Sequence, residues 1–170
     1  MDNNKDLVEN TEKVDLIIAT AELERYNKND GELPKYQVMG MPPKTGFDIL
    51  LIEDGKPERF IEVKSRNCTS TTYKPSEYYI RKDKMDFMHR MHKWRSYLMY
   101  LFTDCWYCFK VADIVNRASY IVEVYNPVKK VKEKHENYFL DLNDGKRMEY
   151  KAIDQKEVER MIKDARRTNI

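Results

Sequence analysis

Two apolar runs on either side of one Asp-Gly pair constrain this chain more than any other feature. Residues 46–53 read Gly-Phe-Asp-Ile-Leu-Leu-Ile-Glu, and residues 59–66 read Arg-Phe-Ile-Glu-Val-Lys-Ser-Arg. Asp54-Gly55 between them is a strong hairpin signal, because tight hairpin turns need residues that tolerate positive φ. The two runs are therefore expected to pair as antiparallel strands. Side chains two apart on a strand share a face. Phe60, Glu62 and Lys64 then project together, while Ile61 and Val63 project oppositely and can pack on a helix. The loop decides where Asp48 goes. A two-residue loop sets Asp48 against Ile61, facing away from Glu62, whereas an odd loop puts it on the face of Glu62 and Lys64. Gly55 is third in Glu53-Asp54-Gly55, the left-handed position of the common three-residue hairpin. The expectation is an odd loop and a convergent Asp48, Glu62 and Lys64.

Other elements follow from periodicity. A helix is predicted from Asn10 or Thr11 to Tyr26, with Val14, Ile17, Ile18 and Ala21 as its apolar stripe, ended by residues 27–31. A strand fits residues 36–41, stopped by Pro42-Pro43, and residues 67–76 read as a Ser/Thr-rich loop. A second helix is predicted over residues 81–94, with Phe87, Met91 and Trp94 on one side. Strands at 97–103 and 106–112 turn at Asp104-Cys105, and residues 119–125 and 137–142 add strands. Asp154 caps a last helix through Val158, Met161 and Ile162, ending near Arg167. This order predicts an α+β fold with a central mixed β-sheet flanked by helices. The 170 residues suit one domain. Lys+Arg number 31 against 29 Asp+Glu, so any basic surface must come from local clustering. Three widely placed cysteines argue against a disulfide framework and for a reducing cytoplasm. No apolar run approaches the ~18 residues of a membrane span, and residues 1–6 lack the apolar core of a secretory signal.

Two carboxylates and an amine in this arrangement suit phosphodiester hydrolysis. Mg²⁺ is commonly held by one or two carboxylates with water and phosphate completing the shell. A lysine beside it can orient water and offset charge building on phosphate. The acid-x-Lys triplet recurs at Asp54–Lys56, Asp144–Lys146, Glu149–Lys151 and Asp154–Lys156, in or beside turns or at a helix start. Only Glu62–Lys64 lies within an apolar strand paired with an acid-bearing neighbour. The bland alternative is a salt bridge on a solvated sheet. Arg66, Tyr73, Lys74, Tyr78, Tyr79, Arg81, Lys82 and Lys84 follow the motif. Their cations can contact phosphates and their rings can stack on bases, with Arg90, Lys93 and Arg95 extending the patch. The alternative is a solvated loop and helix start. Lys129-Lys130-Val131-Lys132 reads as a solvated run. Cys105 and Cys108 have zinc-knuckle spacing, but residues three apart on a strand face opposite ways, which favours buried structural thiols. His89 and His92, three apart on the second helix, read as helix-surface groups more readily than catalytic ones.

Gly46-Phe47-Asp48 and Phe60-Ile61-Glu62-Val63-Lys64-Ser65, in this order of elements, resemble the PD-(D/E)xK nuclease superfamily and its restriction-endonuclease-like fold. That family's core is a helix, three antiparallel strands, a helix and another strand. The agreement covers about residues 10–112, leaving 113–170 as a C-terminal extension. Phe47 stands where the motif's name has Pro, which many members lack. The resemblance implies Mg²⁺ or Mn²⁺ as cofactor and DNA as substrate. It implies Asp48, Glu62 and the main-chain carbonyl of Val63 as metal ligands, with Lys64 positioning the attacking water. It also implies a possible acidic ligand from the first helix. Glu22 and Glu24 flank the apolar stripe about equally, so periodicity cannot choose between them. Ala21-Glu22 looks more like the family's helix motif, which favours Glu22. A homodimer is a further expectation, since small nucleases often cut two strands as dimers. The small size argues against a complete restriction enzyme. The alternatives are a non-catalytic nucleic-acid-binding or assembly module that kept the fold, and an unrelated interaction protein.

Overall fold

The computed structural model describes residues 3–28, 35–42, 45–74, 79–126 and 129–167. Within them α1 (Asn3–Asn27) is followed by β1 (Gln37–Gly40), β2 (Ile49–Glu53) and β3 (Lys56–Ser65). Next come the short β4 (Tyr79–Arg81), α2 (Lys82–His92), a 3₁₀ turn at Lys93–Arg95, β5 (Ser96–Leu101), β6 (Trp106–Lys110) and α3 (Val111–Val115). β7 (Ser119–Asn126), β8 (Val131–Phe139), β9 (Lys146–Met148) and α4 (Gln155–Arg167) complete the order. Of the residues named above, 29–31, Pro43 and 75–78 lie outside the described residues.

The fold is α+β. Six strands form a mixed sheet in the order β1-β2-β3-β5-β6-β9, with β3 and β5 parallel and the other neighbours antiparallel. A parallel pair needs a crossover, and the segment carrying β4 and α2 supplies it. A second sheet has the order β4-β8-β7. Alternation along the central strands buries both faces of the large sheet. Ile49, Ile61, Val63, Met99 and Leu101 pack with Ile18 and Ala19 of α1 and Val158 and Ile162 of α4. Leu98, Tyr100, Tyr107 and Phe109 pack with Met85 and Met88 of α2 and Val111 and Ile114 of α3. Residues beyond 113 are built into the same body: β9 extends the large sheet beside β6. Asp154 caps α4 as expected, its side chain accepting from Lys156 N–H at 2.9 Å. No described helix is long and apolar enough to cross a membrane.

The hairpin corrects one expectation and keeps its consequence. Glu53 pairs with Lys56, so the loop has two residues and is not odd in length. Asp54 and Gly55 have φ of 50° and 73°, the pair of positive angles a two-residue turn of this kind requires. Ile52 pairs with Pro57 but Leu51 pairs with Arg59, leaving Glu58 as an extra residue. This β-bulge forms where Pro57 has no N–H to give to the ladder. It shifts the register by one, so Leu50 faces Phe60 and Ile49 faces Ile61. Continued one step, that register sets Asp48 beside Glu62. A Cβ on Gly55 meets nothing within 4 Å. Gly55→Ala is therefore expected to lose about 1 kcal/mol, the conformational cost alone. Chemical denaturation checks this, and a loss above about 3 kcal/mol would require packing that the turn lacks.

Other boundaries also differ from expectation. α1 begins near Asn3, and its buried stripe is Asp15, Ile18, Ala19 and Glu22, while Ile17 is exposed. Two acids belong to the inward face, so counting apolar residues alone set the phase wrongly. α2 ends at His92, where Lys93 adopts a φ of 47°. Its inward residues are Met85 and Met88, whereas Phe87, Met91 and Trp94 are left exposed. β8 starts at Val131, ahead of the expected 137–142 strand, because it pairs along its length with β7. Lys129-Lys130 is the exposed turn between them.

Candidate active site

The central position of β3, between β2 and β5, buries Glu62 completely. Its carboxylate lies on the α2 face of the sheet and meets two ammonium groups. Lys64 Nζ is 2.7 Å from Oε1, and Lys84 Nζ, from the first turn of α2, is 2.8 Å from Oε2. Asp48 lies one residue before β2. Its N–H donates to the Ile61 carbonyl at 2.9 Å, and its Oδ2 accepts the Val63 N–H at 2.7 Å. A side-chain carboxylate thus replaces the main-chain acceptor that a longer β2 would provide. Gly46, with φ of 89°, permits this exit from the strand, and a Cβ there would come within 2.8 Å of Phe87 Cε1. The positive φ favours glycine, and a Cβ there would also have to displace the exposed Phe87 ring.

Burial, followed by the neighbouring Glu62, pushes Asp48 up to about 6 from the usual 3.8. The Val63 N–H, Lys64 and Lys84 act in the opposite direction. Burial works against the Lys64 cation, but Glu62, Asp48 and Asp15 outweigh it and hold Lys64 above the ordinary lysine value. With all four groups ionised, Asp48, Glu62, Lys64 and Lys84 sum to zero charge. A divalent cation would leave the site positive, which suits an anionic phosphodiester.

Glu22 is placed elsewhere, correcting its expected position. It is fully buried, and its carboxylate accepts the N–H groups of Lys151 at 2.9 Å, Ala152 at 2.9 Å and Ile153 at 3.1 Å. It ties α1 to the segment leading into α4. Glu24 is exposed. The acid of α1 that lies near the site is Asp15, 8 % exposed, which interacts with Ser65, Arg166 and Lys64. Burial raises its pKa, against the opposing pull of those partners. Arg166 of α4 closes this side, donating to the Ser65 carbonyl at 2.7 Å and its hydroxyl at 3.1 Å. The spacing of Asp15 and Glu22 around Ile18 and Ala19 was the signal that both acids point inward.

The basic stretch after the motif divides. Lys84 enters the site. Arg81 pairs with Asp83, Lys82 Nζ lies 2.6 Å from Asp86, and Lys74 is exposed. Arg66 is half-buried over the Tyr100 ring, 5.1 Å from its centroid. Tyr73 offers no stacking face: its ring is in the core and its hydroxyl donates to the Leu140 carbonyl at 3.1 Å. Tyr78 lies outside the described residues. His92 stacks on Phe60 at 3.6 Å, and burial with Arg95 holds its pKa down. Cys105 and Cys108 belong to opposite cores, and burial raises both thiols.

Among the described residues no group of three or more His, Cys, Asp or Glu is arranged to hold a metal ion. Asp48 and Glu62 are two carboxylates, a number that Mg²⁺ accepts when water and phosphate supply the rest. Their carboxylate oxygens are the donor type such an ion takes, and an ion there would have to displace Lys64 or Lys84 from the Glu62 oxygens they hold. No family model matches the chain, and no curated protein matches it.

Proposed function

We propose that this protein is a metal-dependent nuclease that hydrolyses DNA phosphodiester bonds on a restriction-endonuclease-like fold. The observation that carries this reading is the meeting of Asp48, buried Glu62 and Lys64 at the open end of the β2–β3 pair. The order of helix, three antiparallel strands, helix and parallel strand supports it. Mg²⁺ or Mn²⁺ would be held by Asp48 and Glu62. The Val63 carbonyl would join them, since a strand residue's N–H and C=O point to the same side and the Val63 N–H already meets Asp48. Such an ion, when bound, polarises a phosphoryl oxygen and acidifies water. Lys64 is anchored on Glu62 with its side chain 39 % exposed, so its head can orient a water and hold a proton donor beside phosphate. Lys84 pairs with the second Glu62 oxygen and adds positive charge for the phosphate.

One observation favours a second reading. Both Glu62 oxygens are already held by lysines, as they would be in a non-catalytic nucleic-acid-binding module that kept the fold.

Cleavage of supercoiled plasmid and circular single-stranded DNA with Mg²⁺ or Mn²⁺ separates the two readings, comparing the wild type with Asp48→Ala. Metal-dependent cutting that disappears in the variant supports the nuclease; no cutting, or equal cutting by both, supports the binding module. Lys84 bears on the same point, because it occupies an oxygen that a metal would use. Lys84→Ala is expected to bind Mg²⁺ about tenfold more tightly by titration calorimetry, equivalent to about 1.4 kcal/mol. Weaker binding would make Lys84 a support of the ion and not its competitor.

A further inference from the structure

The flank of α2 that carries Lys84 into the site continues away from it as an uncovered apolar face. At about 100° per residue, Lys84, Phe87 and Met91 lie within about 60° of one another. Phe87 rests against Gly46, two residues before Asp48. Phe87, Met91 and Trp94 are 38 %, 58 % and 69 % exposed. The Arg95 guanidinium lies 5.9 Å from the Trp94 ring centroid and 5.8 Å from that of Phe60. Arg95 is itself fixed by a 2.9 Å hydrogen bond to the Pro57 carbonyl. Trp94 is therefore an exposed ring with a braced cation beside it. Arg90 and Lys93 are exposed alongside, and residues 87–103 contain no Asp or Glu.

This combination selects an occupant. Cations flanking an aromatic platform match the phosphates and ring faces of a nucleic-acid strand. A duplex hides its base faces within the stack, so such a platform serves bases that are unpaired. We propose that Phe87, Met91 and Trp94 form a track for an unpaired nucleic-acid strand, with a base stacked on Trp94 and the strand leading to Asp48 and Glu62. Along α2, from Lys84 to Met91, the helix rise of ~1.5 Å per residue spans about 10 Å, and Trp94 follows in the 3₁₀ turn just beyond the helix end. The direction of the strand toward the site rests on the nuclease reading; its binding at Trp94 does not.

The chain has two tryptophans, and the other, Trp106, is 3 % exposed. Fluorescence quenching by a ligand at the surface therefore reports Trp94. The full chain is titrated, in EDTA so that nothing is cut, with a twelve-nucleotide oligo(dT) and with a blunt DNA hairpin duplex. The single strand is expected to quench the emission and bind about tenfold more tightly than the duplex. Trp94→Ala is expected to lower single-strand affinity about tenfold, the usual effect of losing one stacked base, while Trp94→Phe keeps most of it. Absence of quenching, equal or tighter duplex binding, or unchanged affinity in Trp94→Ala overturns the proposal. So does a blue shift that grows with protein concentration without DNA, which assigns the face to a second copy of the chain. Strand binding at Trp94 without any metal-dependent cleavage retains the track and removes the nuclease. Cleavage that needs Asp48 but ignores Trp94→Ala retains the nuclease and removes the track.

Discussion

Asp48→Asn is expected to melt at a higher temperature than the wild type at neutral pH and, on the nuclease reading proposed above, to lose metal-dependent cleavage. The reason is the environment of the carboxyl group. Burial and Glu62 raise Asp48 from 3.8 to about 6 in the folded chain. As pH rises, the unfolded chain releases this proton first, so the native state holds more protons between about pH 4 and 6. Stability then falls with rising pH through that window and stays lower above it. The shift is 6 − 3.8, or about 2.2 units, and at about 1.36 kcal/mol per unit it costs at most about 3 kcal/mol at neutral pH. Asn keeps an acceptor for the Val63 N–H but carries no charge beside Glu62. Recovering most of that cost raises the melting temperature by about 5–10 °C in a chain of this size.

If the protein is the nuclease proposed above, cleavage should fall by about three orders of magnitude, because the charge that would hold the ion is gone. Mg²⁺ should raise the wild-type melting temperature through binding to the native state and leave the variant unchanged. On the same reading, wild-type cleavage should also fall below about pH 6, where a proton would compete with the ion for Asp48. Melting curves from pH 4.5 to 7.5, with EDTA and with Mg²⁺, check all of this. If Asp48→Asn melts below the wild type at pH 7.5, the carboxylate is a net stabiliser through Val63, Lys64 and Lys84. The strained like-charge pair is then wrong.

What the sequence made legible was local. Alternation over Phe60 to Lys64 and the Asp54-Gly55 turn were enough to place Ile61 and Val63 in one core and Glu62 against the other side. The loop length was misread because a bulge at Glu58 absorbs the parity, and bulges depend on how two strands settle against the rest of the sheet. On α2, Met85/Met88 and Phe87/Met91 form two apolar stripes, and only the packing of the sheet decides which is buried. β8 is mostly polar and has almost no pattern of its own; β7 supplies its order. The phase of α1 failed for the most distant reason, since Glu22 is buried by partners 129 to 131 residues away.

That distance sets up the second large effect, at Glu22. A fully buried carboxylate that accepts three main-chain N–H groups holds those donors in place of water. Glu22→Ala removes three hydrogen bonds to a charged acceptor, each worth about 1.5–3 kcal/mol, and water reaching the donors of exposed Lys151 and Ala152 recovers part of that. With partial relaxation, the expected loss is about 4 kcal/mol, a large share of the ~5–15 kcal/mol that holds a domain together. Such a variant can fail to fold, so Glu22→Gln is the decisive one. It keeps the shape and one acceptor oxygen but turns an amide N–H toward a main-chain donor, costing about 2 kcal/mol. An anchor and a metal ligand predict opposite results for it. As an anchor, Glu22→Gln lowers the melting temperature while Mg²⁺ affinity and turnover per folded molecule stay at wild-type levels well below that temperature. As a ligand, it melts normally and loses Mg²⁺ affinity tenfold or more. The three hydrogen bonds to residues 151–153 favour the first outcome, and a normal melting curve with weakened Mg²⁺ binding would return Glu22 to the metal site.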